Sequence, residues 1–310
     1  MTTSLTVERP APPRSRPRRT FKVRHGLSLL AFLSPAIVLV AIFTYYPLLR
    51  GGQMAFRDWN LYDLRNTPFV GLDNFRTLLA DPTFYVVFRN SIVWVVGSIV
   101  PQFIIGFGLA LLLRRRFRLR GVYQALVFYP WAVSGFLIGI LFRWMFNSEF
   151  GVVNDLLRRA GLIDANLPWL ADPTLAMTAV IVANVWYGVT FFAIMILAAL
   201  QSVPDELIES AAIDGAGKVK TLWNIMIPYI RYTIALTIML RVIWIFNFPD
   251  LIFGMTGGGP ANQTQIATTW MIQFVQNGSY GLGSALGLIL MLILALFTVF
   301  YLMALKRSDR

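Results

Sequence analysis

The stretch Pro204-Asp205-Glu206-Leu207-Ile208-Glu209-Ser210-Ala211-Ala212-Ile213-Asp214-Gly215-Ala216-Gly217 decides how the rest of the chain is read. It is a polar island between long apolar runs. Ser202 is placed to cap a helix whose first turn holds Pro204, Asp205 and Glu206, residue types suited to a helix N-terminus. Leu207, Ile208, Ala211 and Ala212 recur at three- and four-residue spacing and form a narrow apolar stripe. Gly215 and Gly217 end that helix, and the pattern predicts another from Lys218 to Ile227, stopped by Pro228. A helix of about eleven residues carrying several acids cannot cross a bilayer, which takes about twenty apolar residues. It belongs at the membrane surface, with small residues that let another backbone approach.

The composition outside this island is that of a polytopic membrane protein. Of 310 residues 57% are hydrophobic and only 14% charged, too few charges to coat a soluble surface of this size. The formal net charge of +12 does not describe a nucleic-acid face, because the basic residues cluster at the ends of apolar runs. With no cysteine, the chain has no disulfide, thiolate metal site or cysteine nucleophile, and its one histidine, His25, lies in the basic N-terminal tail.

Residues 1–26, rich in Pro and Arg, read as a disordered basic tail held near anionic lipid. Leu27–Leu49 is too long for a signal-peptide core and lacks a cleavage site, so it reads as a retained first span. Further spans are expected at about Phe84–Leu113, interrupted by Pro101 and Gln102, then Val122–Phe146, Pro173–Leu200, Tyr232–Phe253 and Gly281–Leu305. Asp73 is placed to cap a short amphipathic helix with Phe75, Leu78 and Leu79, and another short helix is expected at Val152–Ala160. Gly135 with Gly139, and Gly283 with Gly287, permit close helix packing.

Charge orients the spans. Seven basic residues lie in the tail, five in Arg114–Arg120, three in the loop 201–231 and three at the C-terminus, 18 of the 27 in the chain. Residues 257–281 contain none. The positive-inside rule then gives six spans with both termini cytoplasmic, a permease domain over 27–305 and a short cytoplasmic tail over 306–310.

Glu209-Ser210-Ala211, then Gly215 after three intervening residues, and Ile225-Met226-Ile227-Pro228 together resemble the cytoplasmic EAA loop of ABC importer permeases. Ser210 in place of the second alanine, and Ile227 in place of leucine before Pro228, depart from that pattern. Phe69-Val70-Gly71-Leu72-Asp73-Asn74-Phe75 and Thr256-Gly257-Gly258-Gly259-Pro260 resemble two further signatures of the maltose-type carbohydrate uptake family, in the same order along the chain. The resemblance implies an all-α permease whose coupling helix, between spans four and five, docks on an ATPase subunit through Glu209, Ser210, Ala211, Asp214, Gly215 and Ala216. It also implies a second homologous permease, two ABC ATPase subunits that bind ATP and Mg, an extracytoplasmic solute-binding protein, and residence in the bacterial inner membrane. No cofactor is expected in this chain.

The residues contain no Ser/His/Asp set, HExxH or Walker A motif, and the glycines at 257–259 are followed by no lysine, so neither catalysis nor nucleotide binding is expected here. Polar groups within spans are costly and point to function. Asn184, Trp186 and Tyr187 in span four and Arg241, Trp244, Asn247 and Asp250 in span five could meet a substrate or pack helices. Amides and aromatic faces suit a sugar, while Arg241 keeps a phosphorylated polyol such as glycerol 3-phosphate open. A secondary transporter would leave the loop at 204–217 unexplained, and a membrane enzyme would need a catalytic cluster.

Overall fold

The computed structural model describes residues 23–115 and 117–307, and every regular element of more than one bridge in them is a helix. The first is α1, Val23–Val40, which runs through a wide turn at Ala41–Tyr45 into α2, Tyr46–Met54. The expected disordered tail falls outside the described residues, except that Val23 to Gly26 already belong to α1.

α3, Asp73–Ala80, differs from expectation at its start. Asp73 is already inside the helix and pairs with Arg76 at 3.1 Å, whereas Leu72 occupies the cap position without a side-chain bond. Asn74 does the anchoring: its Nδ2 donates to the carbonyls of Ala55 and Arg57, each at 2.9 Å. Beyond it, α4, Pro82–Arg114, begins as the residue types dictate, with Pro82 in the first turn and Asp81 accepting from the Thr83 amide at 2.8 Å.

α4 passes Pro101 without the expected interruption. A membrane helix tolerates an internal proline when neighbouring helices restore the lost contacts, and α4 packs along α8, Ala176–Gln201, in the most extensive helix pair of the structure. Gly106 lies against the Val189 carbonyl at a spacing that leaves no room for a side chain.

The third span is not one helix. α5, Arg120–Phe128, tightens into a 3₁₀ turn at Tyr129–Ala132, and α6, Gly135–Met145, leaves at 98° to it. Pro130 sits in that turn, and Val133 and Ser134 are extended, so the ladder of helical hydrogen bonds stops there. α6 then packs on α12, Asp250–Met255, where Gly139 and Gly254 bring the two backbones together: a Cβ on Gly139 would meet Gly254 Cα at 2.9 Å. α7, Val152–Arg159, forms where the sequence pattern places it.

α9, Asp205–Ile213, follows α8, and α10, Lys218–Thr221, leads through a wide turn at Leu222–Met226 into α11, Ile227–Phe246. Pro228 follows closely on that wide turn, where the hydrogen-bond ladder already changes register, and the helix continues through it. The helix at the fifth expected span therefore starts at Lys218 rather than Tyr232 and ends at Phe246 rather than Phe253.

The cationless segment 257–281 is more ordered than an outer loop. It holds α13, Ala267–Gln276, and its lead-in is fastened to α4. Asn90 donates to the carbonyls of Asn262 and Gln265, and Ser91 accepts from the Ala267 amide at 2.9 Å. α14, Tyr280–Arg307, closes the described chain. Among the described residues five helices are long and apolar enough to cross a membrane, and six spans result when the bent pair α5–α6 counts as one.

Candidate functional site

Two places bring together the residues singled out from the sequence. The first lies between α4, α8 and α11. Arg241 is 4% exposed, and its Nε donates to Gln102 Oε1 at 2.9 Å. Gln102 Nε2 donates to the Asn184 carbonyl at 2.7 Å, and Asn184 Nδ2 donates to Ser98 Oγ at 2.8 Å. Ser98, Gln102 and Asn184 are fully buried. The bonds link three helices, with Gln102 joining the Arg241 side chain to the main chain of α8 at Asn184.

Gly188 makes room for this chain of bonds. A side chain there would strike both the Arg241 guanidinium and the Gln102 amide. Among the described residues Arg241 pairs with no carboxylate; the guanidinium carbon instead lies 5.6 Å from the Phe191 ring centroid. Arg241 Nη2 and Asn184 Oδ1 are buried without a hydrogen-bond partner.

Phe191 joins this polar interior to an open aromatic face. Its ring lies 5.4 Å from that of Trp244 and 6.3 Å from that of Trp131, and the two indoles are 6.3 Å apart. Trp131 and Trp244 are 43% and 51% exposed. The result is a three-ring platform with a guanidinium beneath it. Trp131 reaches it from the 3₁₀ turn Tyr129–Ala132 that ends α5, just before the break.

The other residues named from the sequence separate. Trp186 is half-exposed against Phe142, and Tyr187 stacks in parallel on Phe248 at 5.4 Å. Asn247 is exposed with its amide bonded to the Ile243 carbonyl on its own helix, and Asp250 is exposed in the first turn of α12. Sequence reasoning missed Ser98, Gln102, Trp131 and Phe191 as members of one cluster. The four-residue spacing of Ser98 and Gln102, which puts both on one face of α4, was the available signal.

The second place is α9 with the turn that follows it. Ser202 does not cap α9: its Oγ donates to Ala199 O at 2.8 Å, finishing α8, and Pro204 stands at the cap position. Gly215 has a φ of +76°, the left-handed conformation that glycine adopts without strain. The Ala216 amide donates to Ala211 O at 2.8 Å and the Gly215 amide to Ala212 O at 3.1 Å, the paired bonds of a Schellman C-cap. Glu209, Ser210, Asp214 and Gly215 are exposed, Ala216 is half-buried and Ala211 is buried. Around them Ile213, Val219 and Trp223 are 86%, 72% and 62% exposed, an apolar surface the helical stripe did not announce.

The family described as "Binding-protein-dependent transport system inner membrane component" matches residues 102–309. The sulfoquinovosyl glycerol transport system permease protein SmoG of Agrobacterium fabrum is 31% identical over 94% of this chain and 96% of its own length. The trehalose/maltose transport system permease protein MalF of Thermococcus litoralis is 30% identical over 91% of this chain and 96% of its own. A chain of the bacterial ABC transporter that imports the acidic polysaccharide alginate superposes with a TM-score of 0.81 at 26% identity, covering 93% of this chain and 98% of its own. The bacterial alginate ABC transporter crystallised with its alginate pentasaccharide-bound periplasmic protein gives a TM-score of 0.77 at 26% identity, covering 90% and 94%.

The bond between Gln102 and Arg241 yields a test of the buried chain. Gln102→Leu leaves the guanidinium without its acceptor and is expected to cost about 3 kcal/mol or more. The double variant Gln102→Leu/Arg241→Met removes both polar groups and should recover part of that loss, measured as the thermal-unfolding midpoint of the purified protein in detergent. A double variant less stable than Gln102→Leu alone would show that the two side chains do not act as a pair.

Proposed function

The chain belongs to the family of binding-protein-dependent transport system inner-membrane components, as a permease subunit of an ABC importer with ATP hydrolysis in separate subunits, and we propose that it carries a sugar across the bacterial inner membrane over the Trp131–Phe191–Trp244 platform. The platform carries this reading: two indoles lie open beside each other on the bundle, where the apolar face of a pyranose ring can stack. Sugars and glycosides named for the relatives favour a sugar over a phosphorylated polyol. Arg241, buried behind Phe191, adds a positive field that would draw a carboxylate or sulfonate substituent toward the rings. Trp186, Tyr187, Asn247 and Asp250 line the same route on this reading, and Asn184 holds Gln102 in place.

A solute-binding protein on the outer side delivers the sugar, a second homologous permease completes the passage, and two ATPase subunits bind ATP and Mg on the inner side. α9 is the coupling helix in this scheme. Glu209 is exposed and forms no ion pair among the described residues, so an ATPase cleft that takes the helix would meet it with a lysine or arginine. Both termini are cytoplasmic, as the distribution of basic residues requires. Alkaline phosphatase fused after Gly258 should be active and after Arg116 inactive; the reverse pattern would overturn the orientation.

Two substitutions separate passage from coupling. Trp244→Ala is expected to lower sugar uptake by about tenfold, the equivalent of one lost ring contact of roughly 1.4 kcal/mol, with the four-subunit complex still assembled. Gly215→Val meets no neighbouring atom but forces a β-branched residue to positive φ. It should turn α9 from its cleft and abolish both transport and substrate-stimulated ATP hydrolysis while the isolated ATPase keeps its activity. Normal transport in the Gly215→Val variant would remove α9 from the coupling role.

A further inference from the structure

A cavity of about 980 Å³ opens at the end of the bundle that carries α9, between the last turn of α4, the start of α5, α9 and α10. Four cationic residues line it, Arg114, Arg115, Arg120 and Lys218, against the single carboxylate of Asp205. None of the four forms an ion pair among the described residues. Arg114 donates to the Met226 sulfur at 3.5 Å, a weak acceptor. Arg120 Nε is buried and without a partner. Four cations lining one cavity against a single carboxylate favour an anion there, and a buried guanidinium N–H with no acceptor adds the full cost of its lost hydration.

Most of the rest of the wall is apolar, including Leu111, Leu222 and Met226, with Gln201, Ser202 and Thr221 as its polar members. We propose that this cavity binds an anionic phospholipid, its phosphate held by Arg114 and Arg120 and its acyl chains lying along the apolar wall. Arginine forks match phosphate oxygens in pairs, and basic pockets between membrane helices on the cytoplasmic side suit acidic headgroups. A free phosphate would satisfy the cations but would leave the apolar wall wet. The bound lipid bridges the basic turn after α4 to α9 and α10, so it fastens the coupling loop to the bundle. The side of the membrane follows from the orientation proposed above; the site itself does not depend on it.

The test uses the assembled importer, purified and returned to nanodiscs of phosphatidylcholine with or without phosphatidylglycerol, which presents the lipid in both leaflets. Native mass spectrometry is expected to find phosphatidylglycerol retained on the wild-type complex in preference to phosphatidylcholine. Arg114→Gln/Arg120→Gln should lower that retention by about thirtyfold, the combined effect of two lost cations, with the ATPase subunits still bound. If the double variant fails to assemble, Lys218→Gln at the exposed rim makes the same comparison with a smaller loss. Equal retention of both lipids by the wild type, or unchanged retention in the variants, would overturn the proposal. So would variants that keep the lipid but shed the ATPase, which would assign the cavity to an acidic protein segment. Inorganic phosphate alone stabilising the wild-type complex in phosphatidylcholine as much as phosphatidylglycerol does, but not the variants, would assign it to a free anion.

Discussion

The structure depends on one constraint, that a polar group taken out of water between membrane helices must find its partners inside the protein. Arg241 is the most demanding case, a charge with 4% exposure and no carboxylate beside it. Gln102 supplies an acceptor, Phe191 a π face, and the Asn184 carbonyl and Ser98 hydroxyl hold the amides of that chain in place. Gly188 is small because the guanidinium and amide occupy the space a side chain would take. The register of α4 against α8 and α11 is thereby specified by hydrogen bonds as well as by shape, in a setting where apolar contact alone discriminates poorly between registers. Trp94 adds to it, donating from a fully buried indole to Ile245 O at 3.0 Å near the end of α11.

That buried chain and the open aromatic face share Phe191. The same ring meets the Arg241 cation and stands against Trp244 and Trp131. Shifting the buried chain would therefore shift the three rings with it. Trp131 is supplied by the 3₁₀ turn just before the break between α5 and α6. Gly139 and Gly254 hold α6 in its bent position by backbone approach to α12.

At the other end of the bundle the physical requirement is opposite. α9 and the segment after it leave polar and apolar groups exposed on the subunit, including Ile213, Val219 and Trp223. The Schellman cap at Gly215 gives that surface a defined end, since its two bonds satisfy carbonyls that would otherwise face water.

The sequence by itself determined the helical class, the number and approximate place of the apolar runs, the surface position of α9 and the positive φ of Gly215. Those features are local: hydropathy over about twenty residues and the backbone freedom of one glycine do not depend on the neighbours. Tertiary structure alone decided the break at Pro130, the passage of α4 through Pro101, the folding of α13 back onto α4, and the delayed end of α9's predecessor at Ser202. Each is a contest between a local breaker or cap and the packing around it, and the winner is set by contacts distant in sequence. It also decided which polar residues turn inward. In spans that are apolar all round, helical periodicity assigns no face, so nothing in the order of residues told Asn184 and Arg241, which are sealed in the bundle, from Trp186 and Trp244, which are open.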